Sequence, residues 1–293
     1  MAHPALVPPV LVDSLPEYED SVGPRRRRPS AWHLLLLPLS LVMLTPLAWM
    51  VVTAVSTVQE SRQFPPRLPS SIQWSNFVAV WTTAPFGRWL INTAVVSAIV
   101  VASNLVFCSL AGYAFARLRF RGSGLAFMLL LATLMVPFQV VLIPTLLIVK
   151  SFGLIDHLGA LIVPNLVTAF GVFMMRQFFL ALPPELEEAG RMDGASRAGV
   201  FLKIVTPLMG PALATLAILT FLSIWNDFLW PLVAIQSPEN MTMQLGLSTF
   251  QGSHLTDWPL LMAATLMSQL PVILLFLAGQ RMFVRSIASS GIK

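Results

Sequence analysis

Apolar residues fall in this chain into six long blocks, not into the narrow stripes of a soluble amphipathic helix. The blocks run roughly Trp32–Thr57, Leu90–Ala116, Leu125–Val149, Leu158–Leu180, Val205–Ile235 and Leu260–Phe283. Each is long enough to cross a hydrocarbon core, which takes about 20 helical residues. The first would measure about 39 Å as a helix, too long for the apolar part of a signal peptide, so it is expected to stay in the membrane. Pro38 and Pro46 inside it, and Pro137 and Pro144 inside the third block, are tolerable in membrane helices. The pattern predicts an all-α membrane protein with six transmembrane helices. Between the first two blocks Ser75 is expected to cap a short helix over Asn76–Trp81, with Trp74 and Trp81 as interfacial anchors. Residues 1–30 carry an acidic patch (Asp13, Glu17, Glu19, Asp20) followed by Arg25 to Arg28, and read as a disordered tail ahead of a membrane domain over 31–293.

A polar island separates the fourth and fifth blocks. It runs Pro183-Pro184-Glu185-Leu186-Glu187-Glu188-Ala189-Gly190-Arg191-Met192-Asp193-Gly194-Ala195-Ser196 and continues to Ile204-Val205-Thr206-Pro207. Pro184 suits a helix start, where its missing N–H costs nothing. The carboxylates that come after it suit the positive end of the helix dipole. Leu186, Ala189 and Met192 share one side at helical spacing, and Gly194 breaks the run. The expected element is a short amphipathic helix, a glycine joint and a second short helix. Outside a bilayer such an element lies on lipid or fits a partner's groove, and its acidic first turn disfavours anionic lipid.

Composition sharpens this. The chain is 56% hydrophobic and 11% charged, far below the soluble average of about 25% charged. The net charge of +5 does not signal nucleic acid, because the basic residues sit at the flanks of apolar blocks. With the N-terminus inside, fourteen of them fall on the inner side and four (Arg62, Arg67, Arg88, Lys150) on the outer. The positive-inside rule therefore predicts both termini in the cytoplasm, with the acidic island facing it too. The single Cys108 excludes an intrachain disulfide.

Little in the chain resembles an engine. Only Asp227 of the thirteen acidic residues lies within a predicted span, too few for a proton relay. The four histidines are scattered without metal-ligand spacing, and no phosphate-cradling G-x-x-x-x-G-K-[ST] loop is present. A non-catalytic chain, driven from elsewhere, is the expectation. An autonomous secondary carrier and a membrane enzyme are the readings from other classes, disfavoured by the scarcity of intramembrane charge and of acid pairs.

Glu188-Ala189-Gly190, three residues, Gly194, nine residues, then Ile204-Val205-Thr206-Pro207 resembles the E-A-A-x3-G-x9-I-x-L-P signature of ABC-importer membrane subunits. Gly190 stands where Ala is usual and Thr206 where Leu is usual; glycine is expected to loosen the helix by about 1 kcal/mol. Further stretches resemble the carbohydrate-importer branch, of the maltose-importer type. They are Asn92-Thr93, Met135-Val136-Pro137-Phe138-Gln139, Gly153-Leu154-Ile155-Asp156, Phe173 to Phe179, and Trp225-Asn226-Asp227-Phe228-Leu229-Trp230-Pro231-Leu232.

The resemblance implies a permease domain that pairs with a second permease subunit and two cytoplasmic ATPase subunits, which bind ATP and Mg; this chain would hold no cofactor. An extracytoplasmic solute-binding protein would deliver a sugar, or in some relatives glycerol phosphate, across a bacterial inner membrane. Residues 185–203 would seat in a cleft of the ATPase. The coupling residues would be Glu185, Glu188, Ala189, Gly190, Asp193, Gly194, Ile204 and Pro207. Gln236–Asp257 would touch the binding protein, and the tail Ser289–Lys293 would reach between the ATPases; a plain connector and a frayed terminus remain open. Asn226, Asp227 and Gln139, with the ring faces of Trp225 and Trp230, are candidates for the sugar path. The structural alternative has Asp227 satisfied by neighbouring backbone, the indoles in the interfacial belt and a packed kink at Pro137.

Overall fold

The computed structural model of the chain describes residues 32–65, 67–251 and 256–290, with backbone only at 32–34 and 278–290. The expected tail over 1–30 lies outside these residues. Every regular element among them is helical. They are α1 (Trp32–Ala54), α2 (Val58–Ser61), α3 (Ser75–Thr83), α4 (Phe86–Arg117), α5 (Ser123–Leu134), α6 (Phe138–Ser151), α7 (Leu158–Ile162), α8 (Ala169–Ala181), α9 (Glu185–Met192), α10 (Arg197–Val200), α11 (Thr206–Leu208), α12 (Gly210–Trp225), α13 (Leu229–Ala234), α14 (Met243–Ser248) and α15 (Trp258–Ser290). The chain divides into two units, 1–46 and 47–293, and the polar island belongs to the second.

Among the described residues, four stretches are long and apolar enough to cross a membrane: Leu35–Ala54, Phe86–Arg117, Leu158–Ala181 and Trp258–Leu277. The number reaches six if each of two bent pairs counts as one span. The third apolar block is no simple kinked rod, because α5 and α6 meet at 104°. Pro137 sits at the joint with φ −60° and ψ 138°, and proline drives the residue before it out of helical geometry. The fifth block is also shorter than its hydrophobicity suggests. The Arg197–Leu208 segment meets α12 at 76°, and α12 ends at Trp225 ahead of the separate α13.

The helix α4 is the axis of the larger unit and packs against α8 and α12, with α12 resting on α15. A Cβ on Gly112 would stand 2.8 Å from the Met175 Cβ and 2.9 Å from the Arg176 amide, so glycine is what lets α4 and α8 approach. Arg176 donates from Nε to the Phe115 carbonyl (3.2 Å) and lies 4.1 Å from the centre of the Phe127 ring.

The break between α7 and α8 would strand backbone groups at lipid depth unless side chains met them. Fully buried Asn104 does so. Its amide donates to the carbonyls of Asn165 (2.7 Å) and Val100 (3.0 Å), and its Oδ1 accepts from the Thr168 hydroxyl (2.8 Å). Thr168 in turn caps α8 by accepting from the Gly171 amide.

The short helix α3 forms as expected but is not capped by Ser75. Trp74 takes the N-cap position without a side-chain bond. Asn76 instead donates to the carbonyls of Ala54 (2.9 Å) and Ser56 (3.0 Å), satisfying the end of α1. Trp74 and Trp81 are both exposed, as interfacial anchors would be.

Candidate functional site

The polar island folds as a hairpin of short helices. Pro184 precedes α9, and Glu185, Glu187 and Glu188 occupy its first turn. The helix stops in a Schellman arrangement: the Ala195 amide donates to the Gly190 carbonyl (3.0 Å) and the Gly194 amide to the Arg191 carbonyl (3.1 Å). Gly194 has φ +83° with open space around its Cα, so its backbone conformation, not room, demands glycine. Ser196 then caps α10 by accepting from the Gly199 amide (3.1 Å).

Beyond α10 the chain takes a π turn over Phe201–Val205. Pro207 has no N–H for the Lys203 carbonyl, and its ring would press on that carbonyl in a regular helix. The wider turn avoids the clash, and the Thr206 hydroxyl donates to the Phe201 carbonyl (2.7 Å). Ile204 reaches back to buried Gly190, where a Cβ would collide with its Cδ1. Beside the helix cost expected of a glycine, Gly190 has a use that the sequence does not show: its missing side chain is the seat that holds Ile204 against α9.

This packing sorts the carboxylates. Glu187 turns inward: its Oε1 lies 2.8 Å from Arg117 Nε, and its Oε2 accepts from the Tyr113 hydroxyl (2.9 Å). Arg117 also donates to the Leu182 carbonyl (2.6 Å), so the far end of α4 grips the start of the hairpin. Glu185, Glu188, Ala189, Met192 and Asp193 remain exposed. Met192 is 88% exposed, an apolar side chain with nothing to cover it among the described residues. Sequence reasoning missed Glu187, Arg117 and Tyr113, because their meeting depends on residues far apart in the chain.

The expected sugar-path residues separate. Trp225 and Trp230 are core residues and offer no free ring face. The Trp225 indole N–H donates to the Ser268 carbonyl (3.2 Å), and that of Trp230 to the Ala160 carbonyl (3.0 Å). Phe138 meets Trp230 edge-on at 5.9 Å, while its neighbour Gln139 is exposed. Asn226 is exposed, and Gln244 lies 3.4 Å from its Oδ1. Asp227 is half-buried, and its Oδ1 accepts weakly from the Trp230 amide (3.4 Å). A mostly apolar cavity of about 350 Å³ opens nearby, bordered by Asn165, Thr168, Thr220 and Ser223. These neutral polar residues within apolar blocks were legible as such and were not singled out.

At the opposite end of α4, three side chains hold the loop after α13. Trp89 donates from its indole to the Pro238 carbonyl (2.9 Å), and Asn92 to the carbonyls of Glu239 (2.8 Å) and Met241 (3.0 Å). The Thr93 hydroxyl accepts from the Met243 amide (2.7 Å). Asp156, in a left-handed conformation (φ 62°), completes the clasp. Its carboxylate accepts from the Ser237 hydroxyl and from the amides of Ser237 (2.8 Å) and Gln236 (2.9 Å). The Ser237 bonds, followed by that of Gln236, hold the Asp156 carboxyl at about 2, below its ordinary 3.8.

Asp156→Asn tolerates the left-handed backbone but removes the charge. Amide exchange at Gln236 and Ser237 is expected to speed up about tenfold at neutral pH, the loss of one charge-assisted bond. A depressed folded value means the wild-type advantage is complete above the unfolded value near 4 and fades as pH falls through about 2. Equal exchange rates at pH 7 would count against the clasp.

Residues 108–289 match the family model described as "Binding-protein-dependent transport system inner membrane component". The arabinooligosaccharides transport system permease protein AraQ of Halalkalibacterium halodurans is 37% identical, over 77% of this chain and 81% of its own length. The sn-glycerol-3-phosphate transport system permease protein UgpE of Pectobacterium atrosepticum is 35% identical, over 88% and 95%. Among solved structures, a bacterial ABC transporter involved in the import of the acidic polysaccharide alginate superimposes with a TM-score of 0.75 at 25% identity, covering 86% of this chain and 94% of that one. The hairpin bent at Gly194 and locked by Ile204 on Gly190 thus sits in a chain that belongs to the binding-protein-dependent transport system inner membrane components, the permease subunits of ABC importers.

Proposed function

We propose that this permease subunit passes a sugar or oligosaccharide through the membrane. The observation that carries the reading is the absence of any Lys or Arg from Ile204 to Gln280, alongside a cavity edged by the neutral groups of Asn165, Thr168, Thr220 and Ser223. Hydroxyls and amides beside apolar walls suit a sugar ring; a phosphate would call for guanidinium or ammonium groups. The name of AraQ, an arabinooligosaccharide system, agrees with this. The name of UgpE keeps glycerol phosphate as the second reading. Asn226, Asp227 and exposed Gln139 are the polar side chains assigned to the path.

The chain crosses a bacterial inner membrane six times with both termini in the cytoplasm, the orientation that the basic residues favour. It is non-catalytic and works with a second permease subunit, an extracytoplasmic binding protein, and two ATPase subunits that bind ATP and Mg. The hairpin enters a cleft of the ATPase through Glu185, Glu188, Ala189, Met192 and Asp193, while Gly190, Gly194, Ile204 and Pro207 fix its shape. Closure of the ATPases then moves a rigid body joined to α4. Residues 31–293 form the permease domain.

The test is uptake by the importer reconstituted in vesicles with its ATPase and binding protein. Radiolabelled oligosaccharide is expected to accumulate only with ATP and the binding protein. Accumulation of glycerol 3-phosphate in place of sugars would overturn the substrate assignment, and uptake by this chain alone would overturn its role.

A further inference from the structure

The inner side of the hairpin carries charge that the coupling role does not use. A cavity of about 250 Å³ lies between the end of α4 and α9–α10, bordered by Arg117, Arg119, Arg191 and Arg197 with Glu187. It adjoins a larger one of about 540 Å³, which shares Arg117, Arg119, Glu187 and Arg191 and is also bordered by Phe115, Phe120 and Glu188. Arg117 and Glu187 neutralise each other at 2.8 Å. That leaves Arg119, Arg191 and Arg197 without a bonded partner among the described residues, against the single carboxylate of Glu188. Three guanidiniums around one hollow repel one another unless an anion sits between them. Guanidinium forks match phosphate oxygens; Leu118 lines both hollows, and Phe115 and Phe120 give the adjoining larger one apolar surface.

We infer that this groove binds the phosphodiester headgroup of an anionic phospholipid. The arginines hold the phosphate, and the phenylalanine side receives the apolar part of the lipid, a surface that a free phosphate would leave uncovered. The groove lies where α4 leaves its apolar block, the depth at which headgroups are found. Its assignment to the inner leaflet rests on the orientation proposed for the chain; the binding itself does not. A lipid held there touches α4, α9 and α10 together, so membrane composition would bias the stiffness of the hairpin.

The full chain is placed in nanodiscs of equal phosphatidylglycerol and phosphatidylcholine, and the lipid retained after release is counted by native mass spectrometry. Wild-type chain is expected to retain phosphatidylglycerol in preference to phosphatidylcholine. The R119Q/R191Q/R197Q variant is expected to lose about tenfold of that preference, and R119K/R191K/R197K, which keeps the charge without the fork, to retain part of it. The lysine variant separates loss of charge from loss of fold. Equal retention by wild type and the glutamine variant overturns the site. So does arginine-dependent binding of inorganic phosphate in phosphatidylcholine-only discs without preference for phosphatidylglycerol. Neither readout depends on transport, so failure here leaves the importer assignment standing.

Discussion

Glu188→Lys is expected to abolish solute uptake and stimulated ATP hydrolysis while the subunit still inserts and folds. The Glu188 side chain is exposed and makes no hydrogen bond or ion pair with another described residue, so the substitution leaves the packing of the hairpin in place and alters only the charge beside Arg119 and Arg191. What it changes is the face proposed to meet the ATPase, where the charge shifts by two units next to exposed Ala189 and Met192. With the basic partner residue that the family resemblance implies for Glu188, the lysine places like charges across the docked interface, which costs about 3 kcal/mol, roughly a hundredfold in affinity. The measurement is ATPase turnover and uptake by the reconstituted complex, with thermal stability of the isolated subunit as control. Normal uptake in this variant would remove Glu188 from the coupling surface.

Its neighbour should behave in the opposite way. Glu187→Leu is expected to destabilise the subunit itself, because it leaves Arg117 facing a hollow without its carboxylate and takes the acceptor from Tyr113. Breaking a buried pair costs about 3–5 kcal/mol, and at side-chain exposures of 16% and 15% solvent screening reduces this to about 2–3 kcal/mol. The double variant R117M/E187L removes both charges and is expected to recover most of the loss. Unfolding midpoints of wild type and the two variants in one detergent give the comparison. If the single variant were as stable as wild type, the grip between α4 and the hairpin would be cosmetic.

The contrast between adjacent glutamates shows where sequence reading reaches its limit. Helix, acidic first turn and glycine joint were legible at α9, because each rests on local chemistry: proline at the start, dipole, positive φ at Gly194. Which carboxylate faces inward was not, since it is decided by Arg117 and Tyr113, on a helix separated from α9 by two apolar blocks. Gly190 misleads for the same reason. Its value lies in Ile204, fourteen residues away, and intrinsic propensity counts only the helix it sits in.

The apolar blocks were legible in length and helicity. Pro137 announced a break but not its size, because the 104° between α5 and α6 is set by what each half packs on. Trp225 and Trp230 matched both a stacking and a structural role in sequence. The carbonyls of Ser268 and Ala160 decided for structure. Asn92, Thr93 and Asp156 stood out as motif residues without a task, and only the fold shows them fastening one loop.

The helix α4 runs for 32 residues without a proline, about 48 Å. Trp89, Asn92 and Thr93 near its start hold the clasped loop, and Tyr113 and Arg117 at its end hold the hairpin. A single strut thus bears both attachments, so a protein docking at either end strains the same rod. Free energy stored this way has no direction of its own: whatever a visitor at the loop does to affinity at the hairpin, a visitor at the hairpin must return to the loop in equal measure.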